Sequence, residues 1–457
     1  MDSRASAAKV GILGELIGVV GSSVHLPGAQ DYADARSSSN GAAPRQPAYV
    51  VHCRNVDEVR LTVRAARMRN LPLSVRGGGH DWATQPVRQD GLVVDLSGMR
   101  RVLIDAAAKV AIVEGGATSS DVIKAAQPHG LVAVTGNIGS VGMAGLTLGG
   151  GYGSLTPRFG VALDNLLAAD VVLEDGSVVT ADNTTNGELF WALRGGGGNF
   201  GIVVSMRIRL HSLSEVLGGV IRFPWRDSHS VLTNYAQFIA SAPDELSVLA
   251  AIYPASGCEP ALVLAPTWCG DRPGGEQAIS DLRSLGTPMS ATVGATTYAE
   301  MVATYDSCVL DGRNYAIETR WLADLKPDAI STLVSSGATR SSPSSTIALH
   351  HFHGAGTRVS NSATAFGLRR RHFMVEIVAS WDPGSATDAN THRQWAKSLS
   401  SALEVDSIPG GYASLLAPPG AYEQIDSAYG CNALRLRRLK KRFDPDGVFS
   451  PATAFPV

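Results

Sequence analysis

The chain has 457 residues, of which 44% are hydrophobic and 18% are charged, and its formal net charge at pH 7 is −2. This length is sufficient for two domains, each with its own core. A net charge so close to zero provides no general attraction for nucleic acid or for an anionic membrane surface. We therefore expect a globular protein with neither a nucleic-acid partner nor a membrane partner.

The N-terminal segment and the cysteines bear on the cellular compartment. Residues 10–20 are apolar, but Glu15 interrupts them, so we interpret this segment as an amphipathic opening helix and not as a signal peptide. No apolar run reaches the ~18 residues of a membrane span. The five cysteines are scattered and form no Cys-x-x-Cys pair, which is typical of a reducing compartment rather than of a disulfide framework or a zinc site. These features predict a cytoplasmic protein without a bound metal.

Glycine-rich segments alternate with short β-branched segments in the first half of the chain. The glycine clusters occupy residues 76–80, 148–153 and 194–201, and the segments between them have the pattern of short strands. Helical patterns over residues 56–69 and 119–127 intervene. Many short strands with few helices favour an α+β domain over a doubly wound one.

The pattern changes in the middle of the chain. Longer helical patterns over residues 228–242, 275–285 and 327–335 alternate with strands such as ELSVLAAIYP and HFMVEIVASW. This alternation predicts a second domain built on an antiparallel sheet. The last part of the chain has the pattern of one helix over residues 426–443. We expect this tail to pack against the first domain.

Three glycine clusters in one domain indicate a large ligand that carries phosphate. Glycine allows backbone N–H groups to approach a phosphate without obstruction by a side chain. The sequence Gly196-x-Gly198-x-x-Gly201 fits the pattern of a dinucleotide-binding turn, but it follows a helical pattern and enters a strand. A Rossmann fold needs the reverse order, and a P-loop motif is absent from the sequence. We therefore expect a nucleotide held by another fold.

Five segments in a fixed order carry a family resemblance: SVRGGGH, GLVVDLS, VTGNIGSVGMAGLTLGGGYGSLTPRFGVALDNLL, ELFWALRGGGGNFGIV and RLRRLKKRFDPDGVF. The chain resembles the berberine-bridge and 6-hydroxynicotine-oxidase branch of the vanillyl-alcohol-oxidase superfamily. The resemblance implies a two-domain α+β fold in which residues 1–213 and 405–457 form an FAD-binding domain of the PCMH type, with its core at about residues 44–213. Residues 214–404 would form an inserted substrate domain of antiparallel sheet and helices.

The cofactor of that family is FAD, and the histidine that ends the glycine motif is joined to the flavin 8α-methyl group. The resemblance therefore implies a covalent link at His80. Many relatives have a second link through a cysteine, but Ile138 stands at that position here and cannot form a thioether, so we expect a single link. The residues that the resemblance implies for FAD binding are Arg76, Gly77, Gly78, Gly79, His80, Thr135, Gly136, Val141, Gly142, Gly145, Leu148, Gly149, Gly198, Gly201, Ile202 and Val203.

Val141 lies where, in the family, valine accompanies oxidases and bulkier residues accompany dehydrogenases. The resemblance thus implies an oxidase of secondary metabolism. It would remove a hydride from a small hydroxylated or amine-bearing metabolite, or from a sugar, to flavin N5, and O2 would reoxidise the flavin to give H2O2. Two alternatives stay open: a flavin-dependent dehydrogenase that uses another acceptor, and a flavin-scaffolded protein that catalyses a non-redox cyclisation or binds a ligand.

Four side chains are candidates for removing the substrate proton. Tyr152 matches an active-site tyrosine of the relatives, and Tyr412 matches the first residue of their Tyr-x-Asn motif, although Ser414 replaces the asparagine. A histidine such as His350 can take a proton near neutral pH, and comparison with the family places it on the face toward the active site. Glu376 lies on an apolar strand, where a buried carboxylate is a base or half of an ion pair. The structural alternatives are a packing aromatic for Tyr152 and a hydrogen-bonded sheet residue for His350.

Three histidines follow one another closely in the sequence HHFH. Alternation along a strand places His351 and His353 on one face and His350 on the other. No carboxylate or cysteine close by in the sequence completes a set of metal ligands. We therefore expect no metal at this position.

Overall fold

The computed structural model describes residues 18, 21–29, 32, 40–41, 46–82, 89–254, 259–306, 312–416, 421–449 and 455–456. The segment around Glu15, which the sequence predicts to be an opening helix, lies outside these ranges. Within them, no helix combines the length and the apolar character that a membrane crossing requires. The thiols of Cys53, Cys269 and Cys431 are free.

The N-terminal half begins with a mixed sheet and one helix. These elements are β1 (Val24–His25), β2 (Tyr49–His52), α1 (Val56–Met68), β3 (Leu73–Arg76) and β4 (Leu92–Asp95). The strand order is β1-β2-β4-β3, and β2 and β3 both run parallel to β4. Helix α1 begins where the Asn55 side chain accepts a hydrogen bond from the Glu58 N–H at 3.0 Å, and it buries Val59 and Val63 in the core with the strands. This packing places the first glycine cluster directly after β3.

An antiparallel sheet follows. Its strands and the neighbouring elements are β5 (Val102–Asp105), β6 (Val110–Glu114), α2 (Ser119–Ala126), β7 (Leu131–Val132), α3 (Met143–Gly149), α4 (Thr156–Phe159), β8 (Leu166–Val172), β9 (Val178–Asp182), α5 (Gly187–Leu193), β10 (Ile202–Arg209) and β11 (His211–Ser212). The strand order is β5-β6-β10-β8-β9, and β7 pairs with β11. The third glycine cluster lies between α5 and β10. Because a helix precedes it and a strand follows it, it does not form a Rossmann turn.

The rest of the chain forms a second antiparallel sheet with its helices, followed by two tail helices. These elements are β12 (Val216–Pro224), α6 (Ser228–Ile239), β13 (Leu246–Pro254), β14 (Pro260–Trp268), α7 (Arg272–Arg283), β15 (Ser290–Thr296), α8 (Tyr298–Asp306), β16 (Asn314–Leu322), α9 (Pro327–Ala338), β17 (Thr346–Phe352), β18 (His372–Trp381), α10 (Ala389–Ala402), β19 (Ser407–Ile408), α11 (Tyr422–Tyr429) and α12 (Ala433–Phe443). The strand order is β15-β12-β14-β13-β17-β18-β16-β19. Strand β19 pairs with β16, so the sheet of the second domain includes Ser407 and Ile408.

The two faces of the second sheet have different neighbours. On β17, Ile347 and Leu349 lie in a core that includes side chains of α6, α9 and α10. On the opposite face, Trp321, Phe352 and Met374 lie in a core shared with the N-terminal domain. Side chains alternate across a strand, so this sheet lies between its own helices and the N-terminal domain.

The C-terminal tail packs on the N-terminal domain. The sequence predicts one helix over residues 426–443, and this prediction is wrong because α11 and α12 are separated at Gly430, which has a left-handed φ of 51°. Helix α12 belongs to the N-terminal core. The Lys440 Nζ donates hydrogen bonds to the carbonyl oxygens of Asn199 and Phe449, both at 2.7 Å. The chain therefore has a two-domain α+β fold, with the second domain inserted between the two parts of the first.

Candidate functional site

Two loops cross at the glycine turn after β3. A Cβ atom built on Gly78 would lie 2.3 Å from the backbone nitrogen of Gly142, and one on Gly142 would lie 2.5 Å from the nitrogen of Gly78. Any side chain at either position would therefore push the two backbones apart. Gly79 has a left-handed φ of 74°, which turns the chain and sets the position of His80. We call residues 138–142 the crossing loop.

A cleft of about 360 Å³ opens beside this crossing. It is lined by the glycine turn with Gly116, by Arg76 and Arg100, by the hydroxyl-bearing residues Ser97, Thr118, Ser120 and Ser140, and by one acidic residue, Asp306, whose carboxylate accepts hydrogen bonds from the N–H groups of Gly139 and Ser140. Guanidinium, hydroxyl and backbone N–H groups are the donors that bind phosphate. The space left by the glycines and this set of donors fit the pyrophosphate of a dinucleotide such as FAD.

The three glycine clusters come together in one region. The Leu148 carbonyl oxygen at the end of α3 accepts hydrogen bonds from the N–H groups of Gly195 (2.9 Å) and Gly197 (3.1 Å), which connects the second cluster to the third. The Thr135 hydroxyl lies 2.9 Å from the Tyr298 hydroxyl. Of the remaining residues expected to bind the cofactor, five lie on the segment from Thr135 to the end of α3: Gly136, Val141, Gly142, Gly145 and Gly149. Gly198 and Gly201 lie just before β10, and Ile202 and Val203 lie in β10.

Tyr152 and Tyr412 lie side by side, with ring centroids 4.9 Å apart. The Tyr412 hydroxyl oxygen accepts a hydrogen bond from the Gly151 N–H at 3.0 Å, and the Tyr152 hydroxyl lies 2.8 Å from His372 Nε2. Burial raises the pKa of both phenols. A tyrosine that removes a proton at neutral pH needs a lowered pKa, so this geometry favours packing and positioning roles for both.

His350 and Glu376 form a pair on adjacent strands. The register of β17 and β18 pairs His350 with Met374 and Ala348 with Glu376, so the two polar side chains are diagonal neighbours on one face. His350 Nε2 lies 3.2 Å from Glu376 Oε2, and the two side chains are 18% and 22% exposed. The carboxylate accepts the Nε2 proton, which leaves the lone pair of Nδ1 as the basic atom of the ring. This arrangement can take a proton from a substrate on the same face.

The face around this pair is aliphatic. The alternation and register of β13, β16, β17 and β18 place half-buried apolar side chains beside His350, namely Leu249, Ala251, Ile317, Ala348 and Val378. On the same face of β16, the Tyr315 ring contacts Trp82 with centroids 4.8 Å apart. Trp82 in turn lies edge to face with His80, at 6.4 Å between centroids. We call the part of this face that is only half-buried, around His350, Glu376, Leu249 and Ile317, the open face; the contacts of Tyr315 with Trp82 and of Trp82 with His80 connect it to the glycine turn.

Sequence reasoning missed His372. This residue is fully buried, and burial lowers its pKa to about 4. The alternation along HFMVEIVASW places it on the same face as Glu376, and this spacing is the signal that could have identified it. A second omission is the ion pair of Arg369 with Asp164, whose Nη–Oδ distances are 2.8 and 2.9 Å. This pair joins the two domains.

The other two histidines of the HHFH sequence point away from this face. The rings of His351 and His353 are stacked, with centroids 4.3 Å apart, and burial lowers the pKa of His351 to about 2. His350 lies on the opposite face. In the part of the chain that the structure describes, no group of three or more His, Cys, Asp or Glu side chains is arranged to hold a metal ion.

Comparisons with known proteins add a family context. A model for an FAD binding domain matches residues 47–182, and a model described as berberine and berberine like matches residues 423–454. An FAD-linked oxidoreductase of Pyricularia oryzae is 31% identical, over 88% of this chain and 82% of that protein. The (R)-6-hydroxynicotine oxidase of Paenarthrobacter nicotinovorans is 37% identical, over 58% of each protein. The crystal structure of 6-hydroxy-D-nicotine oxidase from Arthrobacter nicotinovorans is similar with a TM-score of 0.84 and 27% identity, covering 93% of this chain and 96% of that one.

Proposed function

Because this chain belongs to the FAD-linked oxidoreductases of the berberine-bridge type, with a PCMH-type FAD-binding domain, we propose that it is an oxidase of a small metabolite. FAD supplies the redox chemistry when bound, as acceptor of the substrate hydride at N5 and as donor of electrons to O2, which gives H2O2. The protein has to orient the substrate and remove a proton from it.

The observation that carries this proposal is the pair formed by His350 and Glu376. Loss of a hydride from a carbon that bears a hydroxyl or amine group leaves a proton on the oxygen or nitrogen. We propose that His350 Nδ1 takes this proton while Glu376, 3.2 Å from Nε2, stabilises the resulting imidazolium. The pair is partly exposed on the open face, so a substrate can reach it, whereas the phenols of Tyr152 and Tyr412 are buried.

The walls of the open face support a largely apolar substrate. Leu249, Ile317 and Val378 supply aliphatic surface, and the polar groups are few: the pair of His350 and Glu376, and the hydroxyl of Thr319, which lies opposite Glu376 on β16. A sugar would need many polar partners, since each buried hydroxyl without a hydrogen bond costs about 1–3 kcal/mol. The relatives include a protein named as a hydroxynicotine oxidase. We therefore propose a hydroxylated or amine-bearing ring compound as the substrate class.

We also propose that the flavin is joined to the protein by a single bond at His80. Two observations support this proposal: the left-handed turn at Gly79 immediately before His80, and the ring contacts of Trp82 with both His80 and Tyr315, which connect His80 to the open face. A second bond would need a cysteine at position 138, where this chain has Ile138. The attachment is tested separately from the oxidase activity.

The oxidase activity can be tested without knowing the substrate. Purified protein is reduced with dithionite under argon and mixed with air-saturated buffer in a stopped-flow instrument. We expect the flavin absorbance to return within seconds, with one H2O2 formed per flavin. A reduced flavin that persists for minutes in air would instead identify a dehydrogenase.

To test the substrate class, the protein is mixed under anaerobic conditions with ring compounds that carry hydroxyl or amine groups. Oligosaccharides are tested in the same way for comparison. We expect only the ring compounds to bleach the flavin absorbance. Bleaching by oligosaccharides alone would overturn the proposed class. Conversion of a compound without any bleaching would identify a non-redox reaction and overturn the oxidase proposal.

A further inference from the structure

The crossing loop is held by hydrogen bonds on both sides of its backbone. On one side, the N–H groups of Ser119 and Ser120 at the start of α2 donate to the carbonyl oxygens of Val141 (2.9 Å) and Gly139 (2.8 Å). On the other side, Asp306 Oδ1 accepts hydrogen bonds from the N–H groups of Gly139 (2.6 Å) and of Ser140 (3.4 Å). The loop carbonyls therefore bind the first domain, while the loop N–H groups bind a carboxylate of the second domain.

Helix α8 of the second domain contacts this segment at both of its ends. Its first residue, Tyr298, lies 2.9 Å from the Thr135 hydroxyl, and its last residue, Asp306, binds the crossing loop. Two contacts from one rigid helix fix the distance between the start of the segment and the loop. The position of the loop is thereby coupled to the domain that carries the open face.

The contact at Asp306 also explains Gly139. A Cβ atom built on Gly139 would lie 2.1 Å from Ser120 Oγ and 2.6 Å from Asp306 Oδ2. A side chain at this position would therefore displace the carboxylate or the helix terminus. The approach of Asp306 to the loop thus depends on a glycine in the loop itself.

We infer that Asp306 is a positioning residue for the cofactor-side loop and links that loop to the substrate domain. Its carboxylate holds the loop N–H groups without a covalent bond, two residues before Val141 and one residue after Ile138. The inference rests on the proposed function only in taking this loop to line the flavin. It predicts that loss of the carboxylate loosens the loop and changes the surroundings of the flavin.

The variants Asp306→Ala and Asp306→Asn test this role in the full-length, FAD-loaded protein. An asparagine oxygen can still accept both N–H groups, whereas alanine cannot. The matched control is Glu300→Ala, since the Glu300 carboxylate accepts the Thr297 N–H at the start of the same helix at 3.0 Å. This control weakens α8 without removing the contact to the loop.

Deuterium exchange of the peptide that contains residues 135–142 is the first measurement, and the visible absorption spectrum of the flavin is the second. We expect D306A to speed exchange at Gly139 and Ser140 by about tenfold, as for loss of a charge-assisted hydrogen bond, and to shift the flavin band. D306N should speed exchange by only about threefold, because its neutral oxygen still accepts both N–H groups with about half the strength of a charged one. If D306A does not fold, G139A is the second variant, because its methyl group displaces the Asp306 carboxylate from the loop. It should show the same faster exchange.

An unchanged exchange rate in D306A would overturn the inference. Equal increases of the exchange rate in D306A and E300A would also overturn it, because the effect would then come from the stability of α8 and not from the contact of Asp306 with the loop. A failure of D306N to rescue would also contradict it. Neither measurement needs substrate or O2. The result is therefore independent of whether the protein proves to be an oxidase.

Discussion

The hydroxyl of Tyr152 donates a hydrogen bond to Nε2 of His372, at 2.8 Å. The direction follows from the other ring nitrogen, because His372 Nδ1 lies 2.8 Å from the Arg370 carbonyl oxygen and must donate its proton there. A neutral imidazole in this tautomer has only Nε2 left as an acceptor. The Tyr152 phenol is therefore buried and already donates its proton to a hydrogen bond within the protein. The pair of His350 and Glu376, in contrast, is partly exposed.

Tyr152→Phe should reduce stability more than catalysis. The substitution leaves His372 Nε2 buried without its donor, and such a loss lowers the free energy of unfolding by about 1–3 kcal/mol. Thermal unfolding of the variant measures this change, and kcat should fall by less than about tenfold. A loss of kcat by several orders of magnitude with unchanged stability would show that Tyr152 is the base.

His350→Ala should abolish most of the activity. Loss of a general base lowers kcat by about 100-fold to 10,000-fold, whereas Glu376→Gln should cause a smaller loss because Nδ1 remains available. The control is His229→Ala, since His229 is an exposed histidine of the same domain. Steady-state kinetics as a function of pH provides the readout. Retention of kcat within about twofold in H350A would exclude His350 as the base.

His80→Ala should abolish the covalent attachment of the flavin. Acid precipitation of the unmodified protein is expected to leave a yellow pellet, because a bond at His80 survives unfolding. In H80A the colour should move to the supernatant, and it should stay in the pellet of the control His129→Ala, which replaces an exposed histidine. A yellow H80A pellet would place the attachment on another residue.

Gly145→Ala should separate cofactor binding from folding. A Cβ atom at Gly145 would meet no protein atom within 4 Å, and alanine favours a helix over glycine by about 0.5–1 kcal/mol. The protein without flavin should therefore be at least as stable as before, while the ratio of flavin to protein absorbance falls because the methyl group occupies space next to the cofactor. The control is Gly294→Ala, since a Cβ atom at Gly294 would also meet no protein atom within 4 Å. Full flavin content in G145A would mean that Gly145 does not line the cofactor.

Stability should fall in mild acid. Burial lowers the pKa of His351 to about 2 and that of His372 to about 4, whereas both would titrate near 6.5 in the unfolded chain. The unfolded state therefore binds more protons below pH ~6.5, and each histidine lowers the free energy of unfolding by about 1.4 kcal/mol per pH unit there. Urea unfolding between pH 7.5 and 4.5 measures the slope. His351→Phe should make the slope shallower, and an identical slope would refute the assignment.

The sequence predicted best where a local motif determines the geometry. The glycine turn at residues 76–80 and the non-Rossmann order around the third cluster follow from residue type and from neighbouring patterns. The break at Gly430 escaped prediction because apolar periodicity continues across it, and only the left-handed φ reveals it.

Contacts between distant segments could not be predicted from a pattern. The pairing of His350 with Glu376 depends on the register of β17 and β18, which are joined by a long connection. The contact of Asp306 with Gly139 spans 167 residues of sequence. Long-range contacts of this kind follow from how two domains meet, and a single sequence contains no periodic signal for that.

The order of the chain has a consequence for biosynthesis. Helix α12, whose Lys440 binds the carbonyl oxygens of Asn199 and Phe449, completes the core of the FAD-binding domain but is made after the whole substrate domain. A growing chain folds from its N-terminus as it is synthesised. The substrate domain can thus fold while the FAD-binding domain still lacks α12 and the part of its core that this helix completes. Stable binding of the flavin therefore becomes a late step in the maturation of the protein.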